Sequence, residues 1–158
     1  DRGNSIAFRF ATAYGLSPRL RLDLLINDFI LQAIKNKYLV VYDKHFRRTF
    51  IHIEDIVGSY LHMIPNFDSC KNEAYNVGSA EGNYTKEEII HKFKEHIDFQ
   101  LYYADKSIPD PDQRDYEVNY SKIENTGFKH KVSIDEGIKE VVDGLKHFQI
   151  SSQYGNIF

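Results

Sequence analysis

Short apolar runs, some alternating with polar residues and some recurring every three or four positions, extend over most of the chain. A period of two indicates a strand, and a period near 3.6 indicates a helix. The spacing predicts strands at residues 5–13, 39–42, 50–53, 74–77 and 99–103. It predicts helices at residues 22–34, 56–64, 85–96, 121–127 and 133–148. Because strands and helices alternate, the pattern predicts an α/β layering.

Three helix starts carry the Ser/Thr-x-x-Glu spacing of a capping box, in which each side chain binds the backbone of the other residue. The pairs are Thr85–Glu88, Ser121–Glu124 and Ser133–Glu136. Asp23 is predicted to cap the helix at residues 22–34, and Gly127 to end the helix that begins at Ser121. The segments 43–48, 78–82 and 108–112 are predicted as loops, and residues 149–158 as a polar tail.

The composition is that of an ordinary globular protein. The chain has 158 residues, 42% of them hydrophobic, and a formal net charge of −3. It holds one cysteine, which excludes a disulfide framework and a thiolate metal cluster. The mild acidity argues against nonspecific nucleic-acid binding, and no apolar run is long enough to span a bilayer. The first residue is not Met, and we expect the chain to be a portion of a longer protein. We also expect it to be cytoplasmic.

Several common catalytic signatures are missing. The sequence has no Gly-x-Gly-x-x-Gly, no phosphate-binding loop and no Gly-x-Ser-x-Gly. Tyr102 and Lys106 have a Tyr-x-x-x-Lys spacing but fall on a predicted strand and loop, so we assign them no catalytic role. Cys70 lies among polar residues in a predicted exposed loop, and His52 fits a hydrogen-bonded structural residue. We therefore predict no catalytic residue and no metal ligand in this chain.

Six of the seven arginines precede residue 50. Arginine binds phosphate with two parallel hydrogen bonds, so this distribution points to a phosphate-bearing ligand, although surface solvation alone would also explain it.

Four sequence blocks, in order, resemble the NAD-dependent epimerase/dehydratase group of the extended short-chain dehydrogenases/reductases. They are R-F-A-T-A-Y-G at 9–15 with S-P-R at 17–19, R-T-F-I-H-I-E-D at 48–55, N-V-G at 76–78, and R-D-Y at 114–116 with S-K at 121–122, G-F at 127–128 and S-I-D-E-G at 133–137. The resemblance covers about residues 5–148. It implies an α/β fold made of the late strands of a Rossmann-like sheet plus the small C-terminal α/β substrate-binding region, with the NAD fingerprint and catalytic Tyr-x-x-x-Lys lying upstream.

The resemblance also implies site residues for this chain. Phe10 and Ala11 match the strand end beside the nicotinamide of NAD. Thr12 stands at a position, often Asn, that contacts the sugar nucleotide. The remaining substrate contacts that it implies are Asp23, Leu24, Val40, Tyr42, Arg48 and Arg114. Arg48 matches the diphosphate-binding arginine, whereas Pro109-Asp110-Pro111-Asp112 replaces the usual second arginine motif.

The implied function is that of the substrate-binding portion of an enzyme acting on nucleoside diphosphate sugars, with residues 1–148 as one unit. We expect this chain by itself to be inactive and the full-length parent to form a homodimer, with neither nucleic acid nor a membrane as partner. Two alternatives stay open: a non-catalytic module that binds sugar nucleotides or another protein, and a fragment of a related NAD(P)-dependent reductase acting on a non-nucleotide substrate. The base, the sugar and the type of reaction are not determined by the sequence.

Overall fold

The computed structural model describes residues 3–104 and 114–147. Within them the strands are β1 Ala7–Phe10, β2 Thr12–Tyr14, β3 Tyr38–Val41, β4 Arg47–His52, β5 Ala74–Val77, β6 Asn83–Thr85 and β7 Gln100–Tyr103. The helices are α1 Leu25–Asn36, α2 Ile53–Met63, α3 Phe67–Cys70, α4 Lys86–Phe93, α5 Ser121–Glu124 and α6 Ile134–His147. A 3₁₀ turn at Ala80–Gly82 precedes β6. The predicted tail 149–158 and the loop 108–112 lie outside the described residues.

The strands form small, mainly parallel sheets. β1 pairs with β5 and β3 with β7, both in parallel register. β4 lies between β2, which is parallel to it, and β6, which is antiparallel. Parallel strands require helical crossovers, and the helices between these strands supply them. The fold class is therefore the predicted one, an α/β protein with the parallel pairing of a Rossmann-like sheet.

Two apolar cores hold these layers together. The larger joins α1, α4 and α6 to strands β3 and β4, and includes Ile26, Ile30, Leu39, Phe50, Ile89, Phe93, Ile138 and Val141. The smaller joins β5, α5 and the end of α2, and includes Met63, Cys70, Tyr75, Val77, Tyr120, Ile123 and Phe128. Cys70 is thus buried, which corrects its predicted exposed position: the short helix α3 turns its thiol into the smaller core.

Two of the three predicted capping boxes are confirmed. The Thr85 hydroxyl accepts from the Glu88 N–H at 3.1 Å, and the Glu88 carboxylate accepts from the Thr85 N–H at 2.8 Å. Ser133 and Glu136 make the same reciprocal pair. The box predicted at Ser121 is wrong, because Asn119 Oδ1 accepts from the Ser121 N–H at 2.8 Å and from its hydroxyl.

Strand β4 begins at Arg47, three residues earlier than predicted. The reason is its antiparallel partner: Arg47 pairs with Thr85 and Arg48 with Tyr84, on the strand β6 that sequence periodicity missed. Helix α2 also begins earlier, at Ile53, because His52 Nδ1 accepts the Glu54 N–H at its N-terminus. These shifts move Arg48 from a predicted loop onto a strand.

Candidate substrate site

The chain passes from one sheet to the next at Ala11. The Ala11 N–H donates to the Val77 carbonyl at 3.0 Å at the carboxyl end of β1 and β5, and Thr12 then pairs with Phe50 on β4. Ligands of open α/β folds bind where neighbouring strands diverge, beyond their carboxyl ends. Ala11 is buried and Phe10 is 37% exposed, so this point offers one aromatic side chain and a small residue beside it.

Two adjacent arginines at the start of β4 have opposite environments. Arg48 is 4% exposed; its Nη1 donates to the Arg47 carbonyl at 2.8 Å, and its guanidinium lies 5.9 Å from the centre of the Tyr116 ring. Arg47 is exposed and pairs with Glu117 at 2.8 Å. Arg47 is the one exposed residue of β4, and Arg48 is the first residue of its buried stretch.

The segment that follows Arg114 runs along the start of β4. Asp115 Oδ1 accepts the Arg47 N–H at 2.7 Å, and the Tyr116 N–H reaches the Arg47 carbonyl at 3.5 Å. Arg114 is exposed and directly precedes this contact. The acidic stretch 109–112 lies outside the described residues, as does Lys106.

The end of β3 approaches the same region through a lysine. Val40 is 42% exposed on the outer face of β3, and Tyr42, one residue beyond the strand, is half-buried. The Tyr42 carbonyl accepts a hydrogen bond from Lys86 Nζ at 3.1 Å. Lys86 is in turn the first residue of α4, directly after Thr85 of β6.

Asp23 and Leu24 lie before α1, and Asp23 does not cap that helix. Leu24 occupies the N-cap position, where no side chain bonds to the helix. The Asp23 carboxylate instead makes a bidentate pair with Arg21 at 2.6–2.7 Å, and this hydrogen bonding lowers the pKa of Asp23. The Asp23 carboxylate therefore binds the arginine two residues upstream and not the N–H groups at the start of α1.

The structure thus brings together some of the predicted residues and leaves others apart. Arg48 and the segment after Arg114 meet at the start of β4, with Tyr42 linked to it through Lys86, and Thr12 lies on the neighbouring strand β2. Phe10 packs against Phe8 and Tyr60, and Asp23 engages Arg21. Lys86 and Tyr116 also contact this region and were not identified from the sequence. For Lys86, the available signal was a lysine in the first turn of an α-helix.

A separate polar corner joins β4, α2 and the segment before α6. Asp55, which is buried, accepts from the Lys131 N–H at 2.8 Å and the Val132 N–H at 3.3 Å. His52 Nε2 lies 3.3 Å from a carboxylate oxygen of Glu140. Asp55 therefore fixes the segment before α6 through two hydrogen bonds, and His52 caps α2 through its other ring nitrogen. They line a cavity of about 160 Å³ together with Tyr14, whose phenol pKa is raised by burial.

Two kinds of feature are absent from the described residues. No three His, Cys, Asp or Glu side chains among them come together as metal ligands. None of their helices is long and apolar enough to cross a membrane.

The chain is similar in sequence to a known protein family and to a known protein. Residues 3–78 match the model of the NAD dependent epimerase/dehydratase family. A protein of Methanocaldococcus jannaschii, named provisionally as a UDP-glucose 4-epimerase, is 28% identical over 129 residues, which cover 78% of this chain and 39% of that protein.

Solved structures agree in fold. The UDP-glucose 4-epimerase of Thermotoga maritima, solved with UDP-glucose, superposes with a TM-score of 0.71 at 21% identity over 89% of this chain and 45% of its own. The dTDP-glucose 4,6-dehydratase of Bacillus anthracis, solved with NAD, gives 0.71 at 22% identity over 90% and 45%. The chain spans less than half the length of these proteins. It has the fold found in sugar-nucleotide epimerases and dehydratases, and its residues 3–78 are similar to the NAD dependent epimerase/dehydratase family.

Proposed function

We propose that this chain is the C-terminal, substrate-binding portion of a longer NAD-dependent epimerase or dehydratase that acts on nucleoside diphosphate sugars. The observation that carries the proposal is the placement of Arg48. It is a buried guanidinium at the start of β4, on the strand beside Thr12, at the place where the parallel strands diverge. A planar, permanently charged fork in such a site suits a diphosphate.

The remaining contacts follow from the same geometry. Val40 and Tyr42 offer an apolar surface and a ring for a nucleobase beside the diphosphate, and Arg114 offers a second charge. Phe10 and Ala11, at the carboxyl end of β1, would lie against the nicotinamide of NAD, a group that would supply hydride-transfer chemistry when bound. By fixing the diphosphate, Arg48 would hold the sugar in place for that transfer, which is catalysis by positioning.

The surface of α2 supports the proposal that the chain is part of a larger fold. Val57, Tyr60, Leu61 and Ile64 are all at least half exposed and recur with helical spacing on one side of α2. The opposite side buries Ser59 and Met63. An exposed apolar stripe of this kind, on a helix whose other side is already packed, is normally covered by a further part of the protein. Among the described residues, β1 pairs with β5 along one edge, so an upstream strand would have a place to add.

Calorimetric titration with UDP, GDP, CDP and dTDP tests the nucleotide site. We expect at least one diphosphate to bind at millimolar concentrations or below. Arg48→Ala should weaken it by about tenfold or more, the typical effect of losing a charge-assisted hydrogen bond. Lys139→Ala, which removes an exposed charge paired with Asp143 at 2.9 Å, is the matched control and should change nothing. Absence of binding to all four nucleotides would contradict the proposal.

Two further observations test the assignment to a larger enzyme. The gene should contain an upstream reading frame with a glycine fingerprint and a helical Tyr-x-x-x-Lys. The purified chain should not turn over UDP-glucose in the presence of NAD, because those groups would lie upstream. A start codon directly before Asp1 would instead favour a non-catalytic binding module. Turnover by the chain alone would refute the proposal that the catalytic groups lie upstream.

A further inference from the structure

The outer face of the β3–β7 pair carries an exposed aromatic surface. Tyr38 and Val40 on β3 are 48% and 42% exposed, and Tyr102 on β7 is 52% exposed. The register pairs Tyr38 with Gln100 and Val40 with Tyr102. Paired residues share a face of a sheet, as do residues two apart on one strand. These four residues therefore form one surface, the aromatic face, while the intervening residues of β3 are buried in the larger core.

Tyr102 is held in a fixed orientation on the aromatic face. Its hydroxyl donates a hydrogen bond to Gln100 Oε1. Its ring meets that of Tyr38 nearly edge to face, with the ring centres 6.4 Å apart and an angle of 72° between the planes. This arrangement is favourable for two aromatic rings. An exposed ring that is already oriented loses little conformational entropy when a planar ligand stacks on it.

The aromatic face extends to the end of the sheet where the proposed function places the substrate. Val40, which contacts the nucleobase in that proposal, is paired with Tyr102. The ladder continues beyond both strands, because the Ala104 N–H donates to the Val41 carbonyl at 2.9 Å. Ligands of open α/β folds bind beyond the carboxyl ends of parallel strands. The Tyr102 ring therefore lies at the edge of the sheet where a ligand is expected.

The same end of β3 is connected to the strand that carries Arg48. The Tyr42 carbonyl, one residue beyond β3, accepts a hydrogen bond from Lys86 Nζ at 3.1 Å. Lys86 directly follows β6, whose Tyr84 pairs with Arg48 on β4. A nucleoside diphosphate has its base at one end and its phosphates at the other, so its site needs a flat apolar surface near a cation. The aromatic face and Arg48 supply these two parts.

We propose that Tyr102 is the platform on which the nucleobase of the substrate stacks, with Val40 beside it. The inference rests on the proposed function and adds a residue of β7 to its nucleobase contact. Every nucleobase has a flat ring face, and stacking on an aromatic side chain strengthens binding by about five- to hundredfold. Stacking does not read the hydrogen-bonding edge of the base, so the contact serves pyrimidines and purines alike. It also needs no proton transfer by the Tyr102 hydroxyl, which is bonded to Gln100.

The test compares UDP with inorganic pyrophosphate on the full chain by calorimetry. Tyr102→Leu removes the ring and should weaken UDP by about fivefold or more, while pyrophosphate affinity changes by less than about twofold. Tyr102→Phe keeps the ring and should hold UDP affinity within about twofold of wild type. Tyr60→Leu is the matched control, because Tyr60 is a 50% exposed tyrosine on α2, and it should leave both affinities unchanged.

The outcomes separate this inference from the proposed function. If Arg48→Ala weakens UDP and Tyr102→Leu does not, the inference falls and the proposed function stands. If Tyr102→Leu weakens UDP and Arg48→Ala does not, the stacking contact stands and the diphosphate assignment falls. An equal loss of UDP affinity in Tyr102→Leu and Tyr102→Phe, or an equal loss of UDP and pyrophosphate affinity in Tyr102→Leu, would refute stacking.

Sedimentation of the same variants tests a different occupant of the aromatic face, a second copy of this chain. A change in oligomeric state in Tyr102→Leu, with UDP affinity unaltered, would make the face a contact between copies and would refute the inference.

A direct measurement covers the case in which Tyr102→Leu does not fold. In the wild-type chain, nuclear Overhauser contacts should join the uracil ring protons of bound UDP to the Tyr102 ring and not to the Tyr60 ring. The absence of a contact with Tyr102 at saturating UDP would overturn the proposal.

Discussion

Replacing Gly78 by alanine should destabilise the protein because of a single neighbour, Tyr120. A Cβ at Gly78 would lie 2.6 Å from Tyr120 Cζ and 2.9 Å from its hydroxyl oxygen. The ring has little room to retreat, since Tyr120 is 2% exposed within the smaller core and its hydroxyl is hydrogen-bonded to Thr49. The left-handed backbone that favours glycine is not involved, because Gly78 is absent from the positive-φ residues of the described chain.

The magnitude follows from two opposing effects. Where the backbone tolerates it, Gly→Ala stabilises a protein by about 0.4–1 kcal/mol by restricting the unfolded chain. Overpacking a core costs about 1–3 kcal/mol. With a contact as short as this one, we expect Gly78→Ala to lower the free energy of unfolding by about 2 kcal/mol, or the Tm by roughly 6 °C for a chain of this length.

A double-mutant cycle with Tyr120→Leu isolates the cause. Tyr120→Leu alone should cost about 3 kcal/mol, because a buried ring is lost. In that background Gly78→Ala should cost nothing or stabilise slightly, which gives a coupling energy of about 2 kcal/mol in urea unfolding experiments. An equal cost of Gly78→Ala in both backgrounds would refute the steric explanation.

Two other predictions concern local polar contacts. Asp55→Ala should lower the free energy of unfolding in urea by about 3 kcal/mol, because the Lys131 and Val132 N–H groups lose their acceptor. Asp55→Asn keeps one acceptor oxygen and should cost less. Equal costs of the two substitutions would contradict this account. Hydrogen bonds from Ser133 lower the pKa of Glu136, so its contribution is present above the unfolded value of 4.5 and is lost as the pH falls through the folded value. Wild type should therefore be more stable than Glu136→Gln at pH 7 and equally stable at pH 3 in thermal unfolding, and a difference independent of pH would be inconsistent with the shift.

The predictions that depend on residues close together in the sequence were mostly accurate, but a nearby side chain could still overturn them. Strand β5 was predicted with its observed bounds, and the boxes at Thr85 and Ser133 were recognised because their partners are three residues apart. The box at Ser121 failed because Asn119, two residues upstream, takes the same donors. The cap predicted at Asp23 also failed, because its carboxylate pairs with Arg21, two residues upstream, and not with the helix that follows.

The sequence by itself determined the α/β class, most helices and the choice of Arg48 as a phosphate-binding candidate. Pairing between distant parts of the chain decided where those residues lie. Arg48 is a strand residue because β6, about 36 positions later, pairs with it. The burial of Lys86, and its bond to Tyr42, depend on contacts that join residues 44 positions apart. Periodicity reports which residues share a face of one element, whereas the site arises where separate elements meet, and only the folded chain brings those elements together.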